Sequence, residues 1–353
     1  MTRKVNVCVS GAAGFLGSHL CERLRKMGHW VFGIDNLIGG SFENVPKKMA
    51  FWADDICRLK EIEEIFSAVK KERGKIGLIY HCAASPHEGL SVFSPTIITR
   101  NTLMSTVSLA TAAINAGVKR LVMLSSMSRY GKGCTNGGEF IPFREDHPAI
   151  PVDPYGIAKV ASEQVLTCLG KQHGMEVVTL VPHNIYGIRQ KYDDPFRNVV
   201  SIMANLCLQG RAPIIYGDGE QQRVFSHVDD CIEPIIKAGF QPGLDGEVIN
   251  IGPDANPVTI NSLAKVMGQI TGLNGDILPV YVPGRPCEVK VAYCSSDKAR
   301  RLLGYETKVN PIDGFREVVN WIRQQGTKPF TYHIPIEITA GKGLPETWGK
   351  RLF

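Results

Sequence analysis

The sequence predicts an α/β fold in which a doubly wound parallel sheet carries a smaller C-terminal lobe. In the first half of the chain, short apolar runs alternate with longer stretches of helical periodicity, the pattern of parallel strands covered by helices on both faces. The chain has 353 residues, more than one hydrophobic core usually serves. We therefore expect a sheet domain over residues 1–182 that the chain rejoins near 225–252. A smaller lobe would occupy mainly 183–330, and a C-terminal tail, 331–353, has no assigned role.

The apolar runs and the helical stretches give the order of elements. Strands are expected at residues 5–9, 30–34, 77–80, 120–124, 176–181 and 247–251. Helices are expected at residues 16–27, 59–71, 102–116 and 157–169. The proline-containing stretch 137–153 predicts a loop that leads into the last of these helices. In the tail, residues 332–338 have a strand-like composition.

Composition excludes several classes of protein. Apolar residues make up 44% and charged residues 21% of the chain, and no apolar run approaches the roughly 18 residues of a membrane span. The formal charge of +6 is modest and dispersed, so we expect neither a nucleic-acid nor a membrane partner. The ten cysteines contain no C-x-x-C pair, and Cys287 and Cys294 lack the histidines of a zinc site. This favours reduced thiols, a cytoplasmic location and no bound metal.

Three glycines, Gly11, Gly14 and Gly17, follow the first predicted strand and open the first predicted helix. Such a turn lets the backbone approach a pyrophosphate at a helix N-terminus. The next strand ends in Asp35, 35 − 17 = 18 residues later, close to the ~20 expected for the acid that binds the adenosine ribose. Because Asn36 rather than an arginine follows this carboxylate, the sequence predicts a Rossmann-type domain that binds NAD rather than NADP.

Tyr155 and Lys159 form a second motif. Lys159 follows Tyr155 by four residues, so on a helix the ammonium would lie near the phenol. A nearby positive charge would lower the phenol pKa from about 10 toward neutral pH, where Tyr155 could act as a base. Upstream, Ser125 and Ser126 end an apolar run. Together with the glycine turn, these residues predict a hydride-transfer site.

These motifs resemble the extended short-chain dehydrogenase/reductase family, and specifically its nucleotide-sugar epimerases and dehydratases. The similarity extends to about Trp321. It implies that Asp55 and Ile56 flank the adenine, that Ala83 and Ala84 line the dinucleotide, and that Lys159 holds the nicotinamide ribose. Asn101 would support the active-site helix or only brace a helix. The full set of implied NAD contacts is Gly11, Gly14, Phe15, Leu16, Gly17, Asp35, Asn36, Asp55, Ile56, Ala83, Ala84, Asn101, Ser125, Tyr155, Lys159 and Pro182.

The same resemblance implies a nucleoside diphosphate sugar as the substrate. The expected contacts are Asn184, Arg223 and Arg285 on the diphosphate, Glu288 on the ribose, Tyr216 near the base, and Ser85, His87 and Ser126 on the sugar. Guanidinium groups suit phosphate oxygens. Each residue also has a structural interpretation, and His87 is more often a surface residue. The chain departs from the family pattern at Val181, Val224 and Cys287, which leaves the nucleotide and the sugar open.

The resemblance implies that Tyr155 removes the proton of a sugar hydroxyl while hydride passes to NAD, and that Ser126 shares the hydrogen bond. Dehydratases of the family carry an acidic pair after the serine motif, decarboxylases a glutamate and 3,5-epimerases a cysteine; residues 127–130 hold none of these. This favours epimerisation at C4 through a 4-keto intermediate, with a UDP-hexose as the commonest substrate of similar proteins. One alternative is another nucleotide-sugar enzyme of the family, a 4,6-dehydratase, an oxidising enzyme or a uronate-specific epimerase or decarboxylase, with acids from elsewhere such as Glu88 or Glu139. The other is a non-catalytic NAD-binding scaffold.

Two further expectations concern charge and assembly. Arg129 and Arg189 could pair with a uronate carboxylate, but we favour pairing with surface acids. The resemblance also implies a homodimer that packs helices 102–116 and 157–169 against their symmetry mates.

Overall fold

Seven parallel strands form one continuous sheet in the computed structural model, which describes residues 4–136, 139–273, 275 and 278–353. Numbered along the chain, the strands are β1 Asn6–Ser10, β2 Trp30–Ile34, β3 Ala50–Trp52, β4 Ile76–His81, β5 Arg120–Leu124, β6 Cys134–Asn136, β7 Glu139–Ile141, β8 Glu176–Pro182, β9 Ile185–Tyr186, β10 Ile214–Tyr216, β11 Gln222–Arg223, β12 Ser226–His227, β13 Val248–Ile251, β14 Val258–Thr259, β15 Val280–Val282 and β16 Val291–Ala292. The central sheet has the order β13-β8-β5-β4-β1-β2-β3. The predicted Rossmann-type sheet is therefore present.

The helices lie on both faces of this sheet and in a second lobe. They are α1 Phe15–Lys26, α2 Leu59–Arg73, α3 Glu88–Ser91, α4 Pro95–Thr99, α5 Ser105–Ala116, α6 Pro154–His173, α7 Val199–Leu208, α8 Val228–Phe240, α9 Ile260–Thr271, α10 Asp297–Leu303, α11 Pro311–Gln325 and α12 Glu346–Gly349. A π-helical turn, Arg100–Met104, joins α4 to α5. Short 3-10 helices occupy Phe42–Asn44 and Met127–Tyr130.

Helix α6 shows how local sequence sets an element that matters for the site. Its N-cap is Asp153, whose carboxylate accepts a hydrogen bond from the Gly156 amide at 2.9 Å, and Pro154 occupies the first helical position. Gly174 ends the helix in the left-handed conformation, with φ of 70°. The helix therefore starts one residue before Tyr155 and carries both Tyr155 and Lys159.

Separate apolar clusters support the two lobes. One cluster on each face packs α1 with α8 and α2 with α5 against the sheet. A third cluster joins α7, α9 and α11 in the second lobe. The chain returns from this lobe to the sheet domain through α8 and β13, and later again through α10. Leu303 of α10 packs in the cluster that holds α1 and α8. The sheet domain is thus built from distant stretches of the chain.

Three details of the structure differ from the expectations. Strand β3 was not predicted, because three half-buried residues are too few to show a period. The strand predicted over 332–338 is wrong: this stretch is irregular, and the amides of Glu337 and Ile338 both bind the Phe93 carbonyl instead of a neighbouring strand. The loop predicted over 137–153 contains β7, paired with β6; residues 137 and 138 lie outside the described part. No helix among the described residues is long and apolar enough to cross a membrane.

Candidate active site

A cleft of about 480 Å³ runs along the carboxyl ends of the central strands and into the second lobe. Ligands of doubly wound sheets bind at this edge. Every residue predicted above to contact cofactor or substrate lines it. From the dinucleotide side these are Gly11, Gly14, Phe15, Leu16, Gly17, Asp35, Asn36, Asp55, Ile56, Ala83, Ala84, Asn101, Ser125, Tyr155, Lys159 and Pro182, and from the substrate side Ser85, His87, Ser126, Asn184, Tyr216, Arg223, Arg285 and Glu288.

The glycine turn has the shape that a dinucleotide requires. Gly11 has φ of 72°, and a Cβ there would lie 2.7 Å from the Ala83 nitrogen. A Cβ on Gly17 would lie 2.1 Å from the Gly11 carbonyl oxygen, so only glycine lets α1 start this close to β1. In the described chain no side chain caps the start of α1 at Gly14. Its first amides therefore face the cleft as an anion site that fits the pyrophosphate of NAD.

Two carboxylates border the adenosine end. Asp35, directly after β2, accepts hydrogen bonds from the amides of Ala13 at 3.0 Å and Leu37 at 2.7 Å, and these fix its orientation. Burial raises the pKa of Asp35 while the backbone hydrogen bonds oppose that rise. Asp55 accepts from the Cys57 amide at 2.9 Å and from the Arg100 guanidinium at 2.6 Å. Because these contacts hold Asp35 at the cleft wall, its position fits the ribose hydroxyls of NAD.

Tyr155, Ser126 and Lys159 meet at the middle of the cleft. The Ser126 hydroxyl accepts a hydrogen bond from the Ser128 amide at 3.2 Å, and its proximity to Tyr155 favours the ionised phenol by lowering its pKa. The Lys159 ammonium lies 5.8 Å from the centroid of the Tyr155 ring and donates to the Leu124 carbonyl at 2.7 Å. Spacing along α6 thus places phenol and ammonium on one face, between the glycine turn and the substrate lobe.

The sequence analysis predicted a lowered pKa for Tyr155. This prediction is wrong when the groups of the chain alone are considered, because they raise the pKa. Burial raises this pKa, and the Glu88 carboxylate adds to the rise, while the Ser126 hydrogen bond and the Arg197 charge oppose it. Burial also lowers the pKa of Lys159 to about 8. The sequence argument counted only the neighbouring charge, whereas the loss of water around both groups has the larger effect.

Behind the serine pair lies a buried ion pair. The Arg129 guanidinium is 3.0 Å from Glu163 on α6, and the Ser125 hydroxyl donates to the same carboxylate. Arg189 lies 2.5 Å from Glu22 on α1. Both arginines therefore pair with acids of the chain, as expected, but only Arg189 has a partner near the surface, since Glu163 is buried. Neither arginine is among the residues that line the cleft.

At the substrate end, one carboxylate lies between two guanidinium groups. Glu288 is 3.1 Å from Arg223 and 2.7 Å from Arg285. The Arg285 guanidinium also lies over the Tyr216 ring, 4.8 Å from its centroid. Because these side chains are only partly exposed, the pair of arginines forms a concentrated positive charge at the cleft wall, suited to a diphosphate.

Asn184, Ser85 and Asn101 are held by contacts within the chain. Asn184 has φ of 42°, a left-handed conformation that asparagine tolerates, and its amide donates to the Val224 carbonyl at 3.0 Å. The Ser85 hydroxyl accepts from the Asn101 amide at 3.2 Å. Asn101 lies in the π-helical turn before α5, an irregularity that frequently marks functional positions. Asn101 thus braces the loop after β4, which faces the cleft.

His87 is not the surface residue that its type suggests, since it is only 2% exposed. Its Nε2 lies 3.2 Å from Asp194, which His333 also approaches at 3.5 Å. The Arg197 Nε donates to the same oxygen at 3.0 Å. Although burial opposes it, hydrogen bonding and charge from His87 and Arg197 hold the pKa of Asp194 well below its usual range. We call these four residues the Asp194 hub; because a guanidinium occupies the shared oxygen, hydrogen bonding suits the hub better than a metal ion.

The two acids left open by the sequence lie in different places. Glu88, on the short helix after the β4 loop, lines the cleft and accepts a hydrogen bond from the Ser128 hydroxyl. Glu139 is exposed on β7 and is not among the lining residues. Among the lining residues that sequence reasoning missed are Arg197 and Phe353. No local pattern points to either, because each reaches the cleft from a loop or tail of irregular structure.

Comparison with known proteins decides the family. The sequence profile of the NAD dependent epimerase/dehydratase family matches residues 7–252. The chain belongs to this family. Its matched region spans the whole central sheet, the glycine turn and α6, so the predicted family and the predicted NAD cofactor are both confirmed.

Individual members of the epimerase/dehydratase family support the assignment over nearly the full chain. A UDP-glucose 4-epimerase from Mycolicibacterium smegmatis is 31% identical over 324 residues, which cover 90% of this chain and 98% of that protein. The crystal structure of a UDP-glucose 4-epimerase from Thermotoga maritima with UDP-glucose has a TM-score of 0.83 and 31% identity, covering 91% of this chain and 99% of its own. The Thermus thermophilus UDP-glucose 4-epimerase in complex with NAD has a TM-score of 0.81 and 28% identity, covering 90% and 99%.

Proposed function

We propose that this protein is an NAD-dependent epimerase that inverts C4 of a UDP-hexose through a transient 4-keto sugar. One observation carries the proposal: Tyr155 and Ser126 line the cleft together with a dinucleotide-binding turn and a pair of arginines suited to a diphosphate. The relatives from Mycolicibacterium smegmatis and Thermotoga maritima, which are similar over nearly their full length, are named UDP-glucose 4-epimerase.

The residues of the chain divide the chemistry as follows. Tyr155 removes the proton from the C4 hydroxyl and later returns one, and Ser126 holds that hydroxyl by a hydrogen bond. Lys159 keeps a positive charge beside the phenol and offers its ammonium to the nicotinamide ribose. NAD, when bound, supplies the hydride acceptor, and the same hydride returns to the sugar on its other face. No further acid or base is needed for inversion.

The charges of the cleft favour a neutral hexose over a uronate. Arg129 and Arg189 pair with Glu163 and Glu22, and neither is among the residues that line the cleft. Glu88 places a negative charge beside Ser128 on the wall of the cleft, which would repel a second carboxylate.

A nucleotide-sugar 4,6-dehydratase is the second candidate, and the position of Glu88 is the observation that favours it. Loss of the C6 hydroxyl needs a separate acid and base. Burial, reinforced by Glu88, raises the pKa of the nearby Asp153 to about 6, so a second acid is present. However, Asp153 caps α6 and accepts from Gly156, which favours a structural use. Epimerisation therefore remains the better interpretation.

Incubating the purified protein with NAD and each of UDP-glucose, UDP-N-acetylglucosamine and UDP-glucuronate tests the proposal. We expect the C4 epimer of a neutral sugar, identified by proton NMR, with no net change in NADH absorbance at 340 nm. Loss of water to a stable 4-keto-6-deoxy sugar would overturn epimerisation in favour of dehydration. Turnover of the uronate alone would overturn the assignment of a neutral hexose.

We also propose that the protein is a homodimer. On the joined helices α4 to α5 and on α6, Met104 is 47% exposed and Ile157 is 56% exposed. Burial against a second copy would remove both side chains from water. Light scattering coupled to size exclusion should give twice the mass of the chain, and the double substitution of Met104 and Ile157 by lysine should give monomers.

A cytoplasmic location is likewise proposed, supported by the nine described cysteines, all of which are free.

A further inference from the structure

The C-terminal segment, residues 328–353, has its own place in the fold. It follows α11 and contributes Ile334 and Trp348 to a fourth apolar cluster, whose other buried members include Phe196 and Tyr155. This segment therefore packs directly beneath the substrate half of the cleft, in contact with the elements that carry the proposed base. The three relatives described above match about nine-tenths of this chain over nearly their full length. The part of this chain outside these matches is therefore about as long as the C-terminal segment.

The first part of the segment meets the sugar side of the cleft at two places. His333 lies 3.5 Å from the Asp194 carboxylate, which His87 from the loop after β4 also approaches. The Glu337 carboxylate accepts hydrogen bonds from the amides of Thr96, at 2.8 Å, and Ile97, at 3.0 Å, at the start of α4. A carboxylate at a helix N-terminus is favoured by the dipole. The segment is thus attached at defined positions and does not merely cover apolar surface.

The second part of the segment reaches the nucleotide end. The Thr347 hydroxyl is 2.6 Å from the Tyr216 hydroxyl, and both Thr347 and Trp348 are 2% exposed. The Trp348 ring lies 6.3 Å from the Tyr216 ring. The Arg285 guanidinium lies over Tyr216, 4.8 Å from its centroid. A continuous chain of contacts therefore runs from Thr347 through Tyr216 to the arginine that faces the cleft.

We infer that Thr347 is a positioning residue for substrate binding: through Tyr216 it orients the Arg285 guanidinium toward the nucleoside diphosphate. The inference rests on the proposed UDP-sugar substrate. A buried hydroxyl that loses its partner must be desolvated without compensation, so Tyr216 would shift to find another partner. Arg285 would then lose the aromatic face over which it lies. The effect should fall on substrate affinity, because neither Thr347 nor Tyr216 touches the reacting hydroxyl group.

Two substitutions at Thr347 separate positioning from packing. Thr347→Val keeps the shape and removes the hydroxyl, whereas Thr347→Ser keeps the hydroxyl and removes a methyl group. We expect Thr347→Val to raise the KM for the UDP-sugar about threefold to tenfold, the loss of one hydrogen bond, with kcat and NAD affinity unchanged. Thr347→Ser should stay near the parent KM. Equal KM increases for both variants, or a lower melting temperature with no change in KM for Thr347→Val, would overturn the inference.

A double-mutant cycle tests whether the effect passes through Tyr216. Tyr216→Phe removes the other hydroxyl and should raise KM as Thr347→Val does, and the combined variant should show no further increase. Additive effects would show that Thr347 acts by another route and would overturn the inference.

Calorimetric binding of UDP measures the same coupling without turnover. We expect the UDP dissociation constant to follow the KM changes in all of these variants. If the parent protein epimerises no UDP-sugar but binds UDP with the expected pattern, the proposed function fails while the positioning role stands. If the parent protein does not bind UDP, the positioning role fails.

Discussion

The two halves of the cleft are built by different means. The dinucleotide half is formed by backbone: a glycine turn, uncapped helical amides and the ends of adjacent strands, with Asp35 held by main-chain amides. The substrate half is formed by side chains from separate loops, in which Glu288 joins two arginines and Asp194 joins three segments. Backbone shape is sensitive to added volume, whereas the side-chain half is sensitive to lost charges and hydrogen bonds. Substitutions in the two halves should therefore fail in different ways.

The sharpest test of the backbone half is Gly17→Val. Its Cβ would lie 2.1 Å from a carbonyl oxygen of the turn, which cannot move without displacing β1 or α1. We expect the free energy of unfolding to fall by about 3 kcal/mol or more, and NAD binding, followed by fluorescence, to be lost. Gly268→Ala on α9, where a Cβ meets nothing within 4 Å, is the matched control and should gain up to about 1 kcal/mol. Parent-like NAD affinity in Gly17→Val would remove the distinction between the halves.

Tyr155→Phe tests the point where the halves meet. Removing the hydroxyl should lower kcat by about 10²–10⁴-fold, the usual contribution of a general base, while NAD affinity stays unchanged because the ring remains in its cluster. Tyr192→Phe is the control, since its hydroxyl binds the Gly326 carbonyl at 2.8 Å and the residue is not among those that line the cleft. Retention of most of the activity in Tyr155→Phe would show that another group moves the proton.

The side-chain half is tested by Arg285→Ala. Loss of a charged hydrogen-bond donor from the proposed diphosphate site should raise the KM for the UDP-sugar about tenfold to a hundredfold. NAD affinity and the glycine turn should be unaffected, in contrast to Gly17→Val. Arg300→Ala, which removes a surface pair with Asp254, is the charge-matched control and should leave KM unchanged. A loss of NAD affinity in Arg285→Ala would mean that the two halves are not independent.

The smallest expected effect is a pH dependence of NAD binding. Burial lowers the pKa of Lys159 to about 8, so its ammonium is present below pH 8 and lost as the pH rises through that value. We expect NAD affinity to weaken about threefold to tenfold between pH 7 and 9 as the charge is lost. Lys159→Met should bind NAD weakly at every pH in this range. A parent protein whose NAD affinity is constant from pH 7 to 9 would contradict the proposed contact.

The pattern of prediction follows the same division. Three features could be predicted because each is encoded by residues close together in the chain. They are the glycine turn, the strands directly before Asp35 and Ser125, and the four-residue spacing from Tyr155 to Lys159. The contact of His87 with Asp194 and that of Thr347 with Tyr216 could not be predicted, since the partners are more than a hundred residues apart.

The sequence by itself determined the fold class, the family and the NAD cofactor, because hydrophobic periods and glycine spacing act over a few residues. Only the tertiary structure decided which way the Tyr155 pKa moves, since burial, which sums neighbours from the whole chain, and the Glu88 carboxylate both raise it. It also decided that His87 is buried, that Glu88 faces the cleft and that the C-terminal segment packs beneath the substrate half. These are facts of long-range packing, which local patterns do not encode.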